Sequence, residues 1–328
     1  MSADDLRRIG VRAEPDAPTG SRELGWTWSP EEVAAQLTRE RHAFLLDSAD
    51  PGHPDGRFSL LGCEPWCVLS ARGGGVAVTT DQGRVELGHP LDGLAAVAEA
   101  VHVRTPPPEP LPFAGGGVGF FSYDLRHRIE KLPRWCDYDL DVPEFLLGFY
   151  DRALVFDHWQ RTTHYVGPSD SRPPGPLPAG EAAAELPEIE STELRSDFPP
   201  AEYPEAVQRV KDYIAAGDIF QANLSQRFEG ECPTDGLTIY ERLRAINPAP
   251  FSGFLRYPGF EIISSSPERF LLVEGDRVTT RPIKGTRPRV EGNEAFNRRM
   301  HEELLGSAKD HAELAMIVDL ERNDLGRV

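Results

Sequence analysis

Five cationic side chains, Arg277, Arg281, Lys284, Arg287 and Arg289, fall within RVTTRPIKGTRPR without one acid among them. The whole chain carries 53 Asp plus Glu against 35 Lys plus Arg, a net charge of -18, so this segment is a local exception suited to a compact anion. Gly285 allows close backbone approach to a ligand, Pro282 and Pro288 stiffen the flanks, and Thr286 offers a hydroxyl. An amine desolvated among other cations loses its proton more readily and becomes a nucleophile, which would give Lys284 a covalent role. The bland alternative is a solvated basic turn. Upstream, SSSPERFL sets Glu268 after a proline and between apolar stretches, which aims a carboxyl into a buried sheet end. A carboxyl and an amine on paired strands make a general acid and nucleophile pair. Alternatively, Glu268 simply pairs with Arg269 or a nearby arginine.

A third constellation lies in AKDHAELAMIVDLERNDLGRV. Glu313, Met316, Ile317 and Leu320 recur at helical offsets, so a carboxylate stands at one end of an apolar stripe. On the buried side it needs a partner, either an arginine or a hard cation such as Mg²⁺, which takes one or two carboxylates plus substrate oxygens. An ordinary helix with one boundary Glu is the other reading. Asp319, Arg322, Asn323 and Asp324 read as an ion-pair and cap cluster at the helix end.

The elements that must position these residues come in blocks. Ser29-Pro30-Glu31-Glu32 combines a capping hydroxyl, a helix-starting proline and a reciprocal Glu, and predicts a helix through about Leu37. HAFLLDSAD and GRFSLLGCEPWCVLSARGGGVAVTTDQGRVEL read as a meander of short antiparallel strands, followed by a short helix over 91–101 and a Pro-rich break over 106–112. More strand-like runs follow in GGGVGFFSYDLRHRIE and LLGFYDRALVFDH. In YPEAVQRVKDYIAAGD, Val207, Val210 and Ile214 recur at helical spacing and Gly217 suits a left-handed cap. In IFQANLSQRF the period changes to two, with Phe220, Ala222, Leu224 and Phe228 on one side, which predicts a strand with one core face. FSGFLRYPG and FEIISSSPERFLLVEGDRVTTRPIKGT add strands, and a helical segment runs from about Glu294. Blocks of strands and helices favour an α+β fold with antiparallel sheet.

Composition bounds the rest. A chain of 328 residues with 39% hydrophobic and 27% charged residues is globular and long enough for one large or two ordinary domains. Residues 167–200, rich in Pro, Ser, Glu and Ala, read as a linker between a sheet-rich region 1–166 and a region 201–328. Strong negative charge argues against nucleic-acid and anionic-membrane partners. No secretory h-region and no membrane-length apolar run is visible, which points to a cytoplasmic protein. Cys63, Cys67, Cys136 and Cys232 are too few for a disulfide scaffold and lack zinc spacing, so reduced core thiols are expected.

NPAPFSGFL, SSSPERFL, RPIKGTRPR and KDHAELAMIVDLERNDLGRV, in this order and at these separations, resemble the chorismate-utilising enzymes, the family of anthranilate synthase and aminodeoxychorismate synthase component I. DIFQANLSQRF, LLDSAD, GRFSLLG and GGVGFFSYD extend the likeness over essentially the whole chain. The resemblance implies antiparallel sheets packed as a β-sandwich core with flanking helices. It also implies that Lys at position 284, where anthranilate synthases usually carry Ala, marks the aminodeoxychorismate branch. Lys284 would then be the nucleophile, Glu268 the general acid/base, Gly285 and Thr286 part of the ring site, and Glu313 a Mg²⁺ ligand. Chorismate would be the substrate, with ammonia from a separate glutamine amidotransferase component II subunit. LLDSAD, GRFSLLG and NPAP match the family's tryptophan-binding region, which nominates Asp47, Ser48, Asn247 and Pro248; Asp47 stands where anthranilate synthases commonly have Glu. Leu314 departs from the usual Asn or His. Family members normally continue beyond NDLGRV into motifs absent here, so the resemblance leads one to expect a C-terminally truncated chain, with an inert fragment that retains only binding functions as the alternative.

Overall fold

A computed structural model describes residues 6, 9–11, 19–26, 28–37, 40–101, 109–133, 139–169, 171–173, 189 and 193–328. Strand β1 (Thr19–Leu24) precedes helix α1 (Pro30–Leu37). Helix α1 starts at the anticipated capping box: the Ser29 N–H donates to Glu32 Oε2 at 2.6 Å and the Glu32 N–H donates to Ser29 Oγ at 3.3 Å. Strands β2 (Ala43–Asp47), β3 (Phe58–Gly62), β4 (Cys67–Arg72), β5 (Gly75–Thr80) and β6 (Gly83–Glu86) follow, then α2 (Pro90–Ala100). The first half closes with β7 (Gly116–Phe121), the one-turn α3 (Arg126–Ile129), β8 (Phe145–Tyr150), β9 (Ala153–Asp157) and β10 (Thr162–Pro168).

In the second half, β11 (Arg195–Ser196) leads to α4 (Glu202–Ala216), which ends at Gly217 in the left-handed conformation, φ 82°, as its sequence predicts. After β12 (Phe228–Glu229) and α5 (Gly236–Ile246) come β13 (Phe251–Tyr257), β14 (Phe260–Ser266), β15 (Arg269–Glu274) and β16 (Arg277–Arg281). Helices α6 (Glu294–Leu305) and α7 (Ala308–Leu325) end the chain, each N-capped by a side chain, Asn293 and Ser307.

The strands form two large antiparallel sheets, ordered β1-β10-β9-β3-β2-β13-β14 and β6-β5-β4-β8-β7. The expected meander is thus divided, β2 and β3 lying in one sheet and β4 to β6 in the other. Phe44, Leu255 and Tyr257 of the first sheet pack on Val118, Leu146 and Tyr150 of the second, with the Phe44 and Tyr150 rings 4.8 Å apart. Strand β4 shows why both faces of the second sheet are apolar: Val68 points to this interface, while Leu69 points the other way, where Val97 and Ala100 of α2 cover Val76, Val78 and Phe145. Each fully buried Leu or Phe here contributes roughly 1.5–3 kcal/mol. This is an α+β sandwich with flanking helices.

By internal contacts, Met1–Ala182 with Leu243–Val328 form one compact unit and Ala183–Arg242 a second. Of the 167–200 stretch, 170, 174–188 and 190–192 lie outside the described residues, as do 106–108 of the Pro-rich break and Cys136.

Three local expectations are corrected. Residues 219–227 make no ladder; only Phe228 enters a strand, paired with Ser196, and Phe220 is 92% exposed. Alternation becomes a buried strand only where a neighbouring strand takes its hydrogen bonds in a continuous ladder; here the bonds are isolated, Leu224 O accepting from the Tyr203 hydroxyl at 3.2 Å and Arg227 O from the Asp197 N–H at 3.0 Å. Helix α7 has no fully buried residue, so its apolar stripe is only partly covered: Glu313 and Ile317 are half-buried, while Met316 and Leu320 are exposed. Cys63 and Cys67 are buried thiols as expected, but Cys232 is exposed.

Candidate active site

Glu268 and Lys284 are held by the β15–β16 hairpin. Glu268 stands just before β15, in a turn where its N–H meets Ser266 Oγ at 3.3 Å. Its carboxylate reaches across to the segment leaving β16, where Oε1 accepts the Ile283 N–H at 2.8 Å. Glu268 is therefore fixed beside the residue that precedes Lys284. It is exposed, contrary to the buried sheet end expected, because β15 and β16 pair only with each other. Lys284 is half-buried and forms no ion pair or hydrogen bond with the described residues.

The following residues are anchored to the helices. Gly285 has φ +78°, and a Cβ there would meet Leu304 Cδ1 at 2.8 Å and Asp310 Cγ at 2.9 Å. The glycine is thus required twice, by conformation and by close approach. Arg287 donates to Glu303 at 2.8 Å and to Asp310 at 3.1 Å. The hydroxyl of Ser307, helped by Arg287, holds the Asp310 carboxyl below its ordinary range. Arg281 donates to Asp55 at 2.7 Å. Two of the five cations are consequently neutralised by acids, and the anion-attracting island narrows towards Lys284. Thr286 is exposed.

Glu313 follows Asp310 by one helical turn on α7. It is half-buried, and its side chain forms no hydrogen bond or ion pair with the described residues. No group of three or more His, Cys, Asp and Glu among the described residues is arranged to hold a metal ion. Any cation at Glu313 would therefore need oxygens from elsewhere. Asp319 pairs with Arg322, as the helix-end cluster predicts.

The residues nominated for tryptophan converge where β2 meets β13. Asp47 is buried; Oδ1 accepts from Ser59 Oγ at 2.6 Å and Oδ2 from Arg244 Nε at 2.6 Å, and Arg244 also pairs with Glu31. Because the single Ser59 proton goes to Asp47, the contact between Ser59 Oγ and His158 Nε2 at 2.7 Å must use a proton from the imidazole. Ser48 Oγ donates to Phe58 O at 2.7 Å, and the Ala49 N–H donates to Ala249 O at 3.1 Å, which ties this corner to the 247–250 segment. Asn247 Nδ2 donates to Ser265 Oγ at 3.1 Å, whereas Pro248 is exposed. Ser59, Arg244 and His158 carried no signal as a group, because only the sheet pairing brings them together.

Residues 41–328 match the chorismate binding enzyme family. The chain belongs to that family. Among relatives, aminodeoxychorismate synthase component 1 of Salmonella typhimurium is 38% identical over 307 residues, covering 92% of this chain and 67% of that protein. Anthranilate synthase component 1 of Thermus thermophilus is also 38% identical, over 301 residues, covering 87% of this chain and 63% of that protein. The crystal structure of anthranilate synthase component I from Streptococcus pneumoniae superposes with a TM-score of 0.67 at 27% identity, covering 83% of this chain and 62% of that one. The chain thus spans about two thirds of the length of these family members. No helix among the described residues is long and apolar enough to cross a membrane.

Proposed function

We propose that the protein acts as an aminodeoxychorismate synthase component I, converting chorismate and ammonia to 4-amino-4-deoxychorismate. The observation that supports this reading is Lys284, half-buried and without an acidic partner among the described residues, next to the backbone N–H that fixes Glu268. The Lys284 nitrogen adds at C2 of the ring, the double bonds shift, and the C4–O bond breaks. Glu268 protonates the departing hydroxyl, which leaves as water. Ammonia then adds at C4, the double bonds shift back, and the Lys284 amine is expelled from C2. The proton lost by the incoming nitrogen returns to the Glu268 carboxylate. Dividing one displacement into two lowers each barrier, and holding acid and nucleophile on one hairpin contributes through orientation.

Glu313 suits a Mg²⁺ ion completed by substrate oxygens, since it is a hard donor that forms no ion pair among the described residues. When bound, the ion would neutralise a substrate carboxylate. Ammonia would come from a separate amidotransferase subunit or from ammonium. Tryptophan at the β2–β13 corner belongs to the same reading, but an ammonium group would have to displace Arg244 from Asp47.

Incubation of the protein with chorismate, Mg²⁺ and ammonium, followed by product identification by mass, tests the reading. The expected product is 4-amino-4-deoxychorismate, with a Lys284 adduct that disappears in Lys284→Ala. Anthranilate as sole product, the outcome favoured by the equally similar Thermus relative, overturns it.

A further inference from the structure

Arg269 and Arg281 are direct cross-strand partners at the open end of the β15–β16 hairpin, immediately after Glu268 and three residues before Lys284. Two like charges opposite one another destabilise a strand pair. The register also shifts between Arg269 and Leu272, so this end is cut off from the regular ladder of Leu272–Glu274 with Arg277–Thr279. An interrupted two-stranded ribbon has little of its own to hold its end in place. The site needs this end held, since the Glu268 to Ile283 bond spans it.

Asp55, on the loop between β2 and β3, supplies what is missing. Its Oδ1 accepts from Arg269 at 2.9 Å and its Oδ2 from Arg281 at 2.7 Å, so one carboxylate bridges both arginines. The Asp55 and Arg269 side chains are 12% and 18% exposed, which limits solvent screening of that pair, whereas Arg281 is exposed and its pair is the more screened of the two. The loop is itself braced, with the Asp55 N–H donating to His53 Nδ1 at 3.1 Å. Arg269 also lies over the Phe251 ring, 5.1 Å from its centroid, which ties it to the start of β13.

We propose that Asp55 is a positioning residue that clamps Arg269 to Arg281 and thereby holds Glu268 in register with Lys284. The inference rests on the assignment of Glu268 and Lys284 as the reacting pair, and its test has a readout that does not use turnover. Amide hydrogen exchange is followed at Ile283 and, as an internal control, at Phe254 and Leu255 of β13 in the wild type, Asp55→Asn and Asp55→Glu. Selective acceleration at Ile283, about tenfold, in Asp55→Asn, with the β13 amides unchanged and recovery in Asp55→Glu, is the expected result. Unchanged exchange at Ile283, or acceleration of all these amides together, overturns the clamp. Where chorismate turnover is measured in parallel, Asp55→Asn should lower kcat more than it raises KM. If Lys284→Ala retains the adduct while Asp55→Asn frees Ile283, the chemical assignment has failed and the clamp has not.

Discussion

At the scale of single residues, the buried corner around Asp47 is an electrostatic arrangement with almost no slack. Both carboxylate oxygens are taken, by Ser59 and by Arg244, and a buried ion pair that loses one partner leaves the other charge uncompensated. Arg244 keeps Glu31, so Asp47→Ala should destabilise the fold by about 2–3 kcal/mol, below the cost of stranding a charge entirely. Denaturant unfolding at neutral pH measures it, and a change under 0.5 kcal/mol would mean that the pair contributes little. The thiols make a second prediction. Burial pushes Cys63 and Cys67 up to about 12, so neither supplies thiolate at neutral pH, whereas Cys232 is exposed. Iodoacetamide on the native protein should therefore mark Cys232 long before Cys63 or Cys67, as read by peptide mass spectrometry. Equal labelling of the three would contradict the packing around the buried pair.

Elements differ in how much of them could be read from sequence, and the difference is physical. Helix α1 was legible because its capping box is local, and α4 because its apolar spacing and its terminal Gly217 lie within one stretch of chain. The pairing of β2 with β13 was not, since nothing within 43–47 specifies a partner at 252–256. The same holds for Asp55, an ordinary turn residue in HPDGRF until folding sets it between two arginines. Periodicity misled in 219–227, which form no strand, whereas α7 is the helix its spacing predicts but has no fully buried residue. The motif around Lys284 was legible as chemistry, while its attachment to α6 and α7 was not. That attachment makes Gly285 testable. Gly285→Ala imposes a Cβ on a left-handed backbone and against Leu304 and Asp310, so a stability loss of about 1–3 kcal/mol is expected. Because the segment must shift to relieve the contact, turnover should fall further than stability explains. A variant with wild-type kcat would show that the approach to α7 does not set the position of Lys284.

For the molecule as a whole, pH reports how the sandwich uses its buried charges. Burial pulls His158 below its ordinary value despite the neighbouring Asp47, and burial with Arg41 does the same to His42, whose Nδ1 is buried without a partner. An imidazole with a lowered folded-state value binds fewer protons folded than unfolded. The histidines' contribution to stability is thus fully present above about pH 6.5 and declines as pH falls from there to the folded-state values. Asp157 behaves differently. Burial alone would raise its carboxyl, but the Arg57 guanidinium, which donates at 2.8 Å and 3.1 Å, and the N–H groups of Gln160 and Trp159 outweigh this and leave it lowered. Its contribution is fully present above its unfolded value, near 3.8, and is lost as pH falls through the lower folded-state value. Acid should therefore weaken the fold in two separated steps, the histidines between neutrality and mild acid and Asp157 only in strong acid. Urea midpoints from pH 7.5 down to about pH 2 resolve them. His158→Gln, which keeps a donor for Ser59, should flatten the first step and leave the second. A first step of undiminished size in that variant would place its origin outside the Asp47 corner.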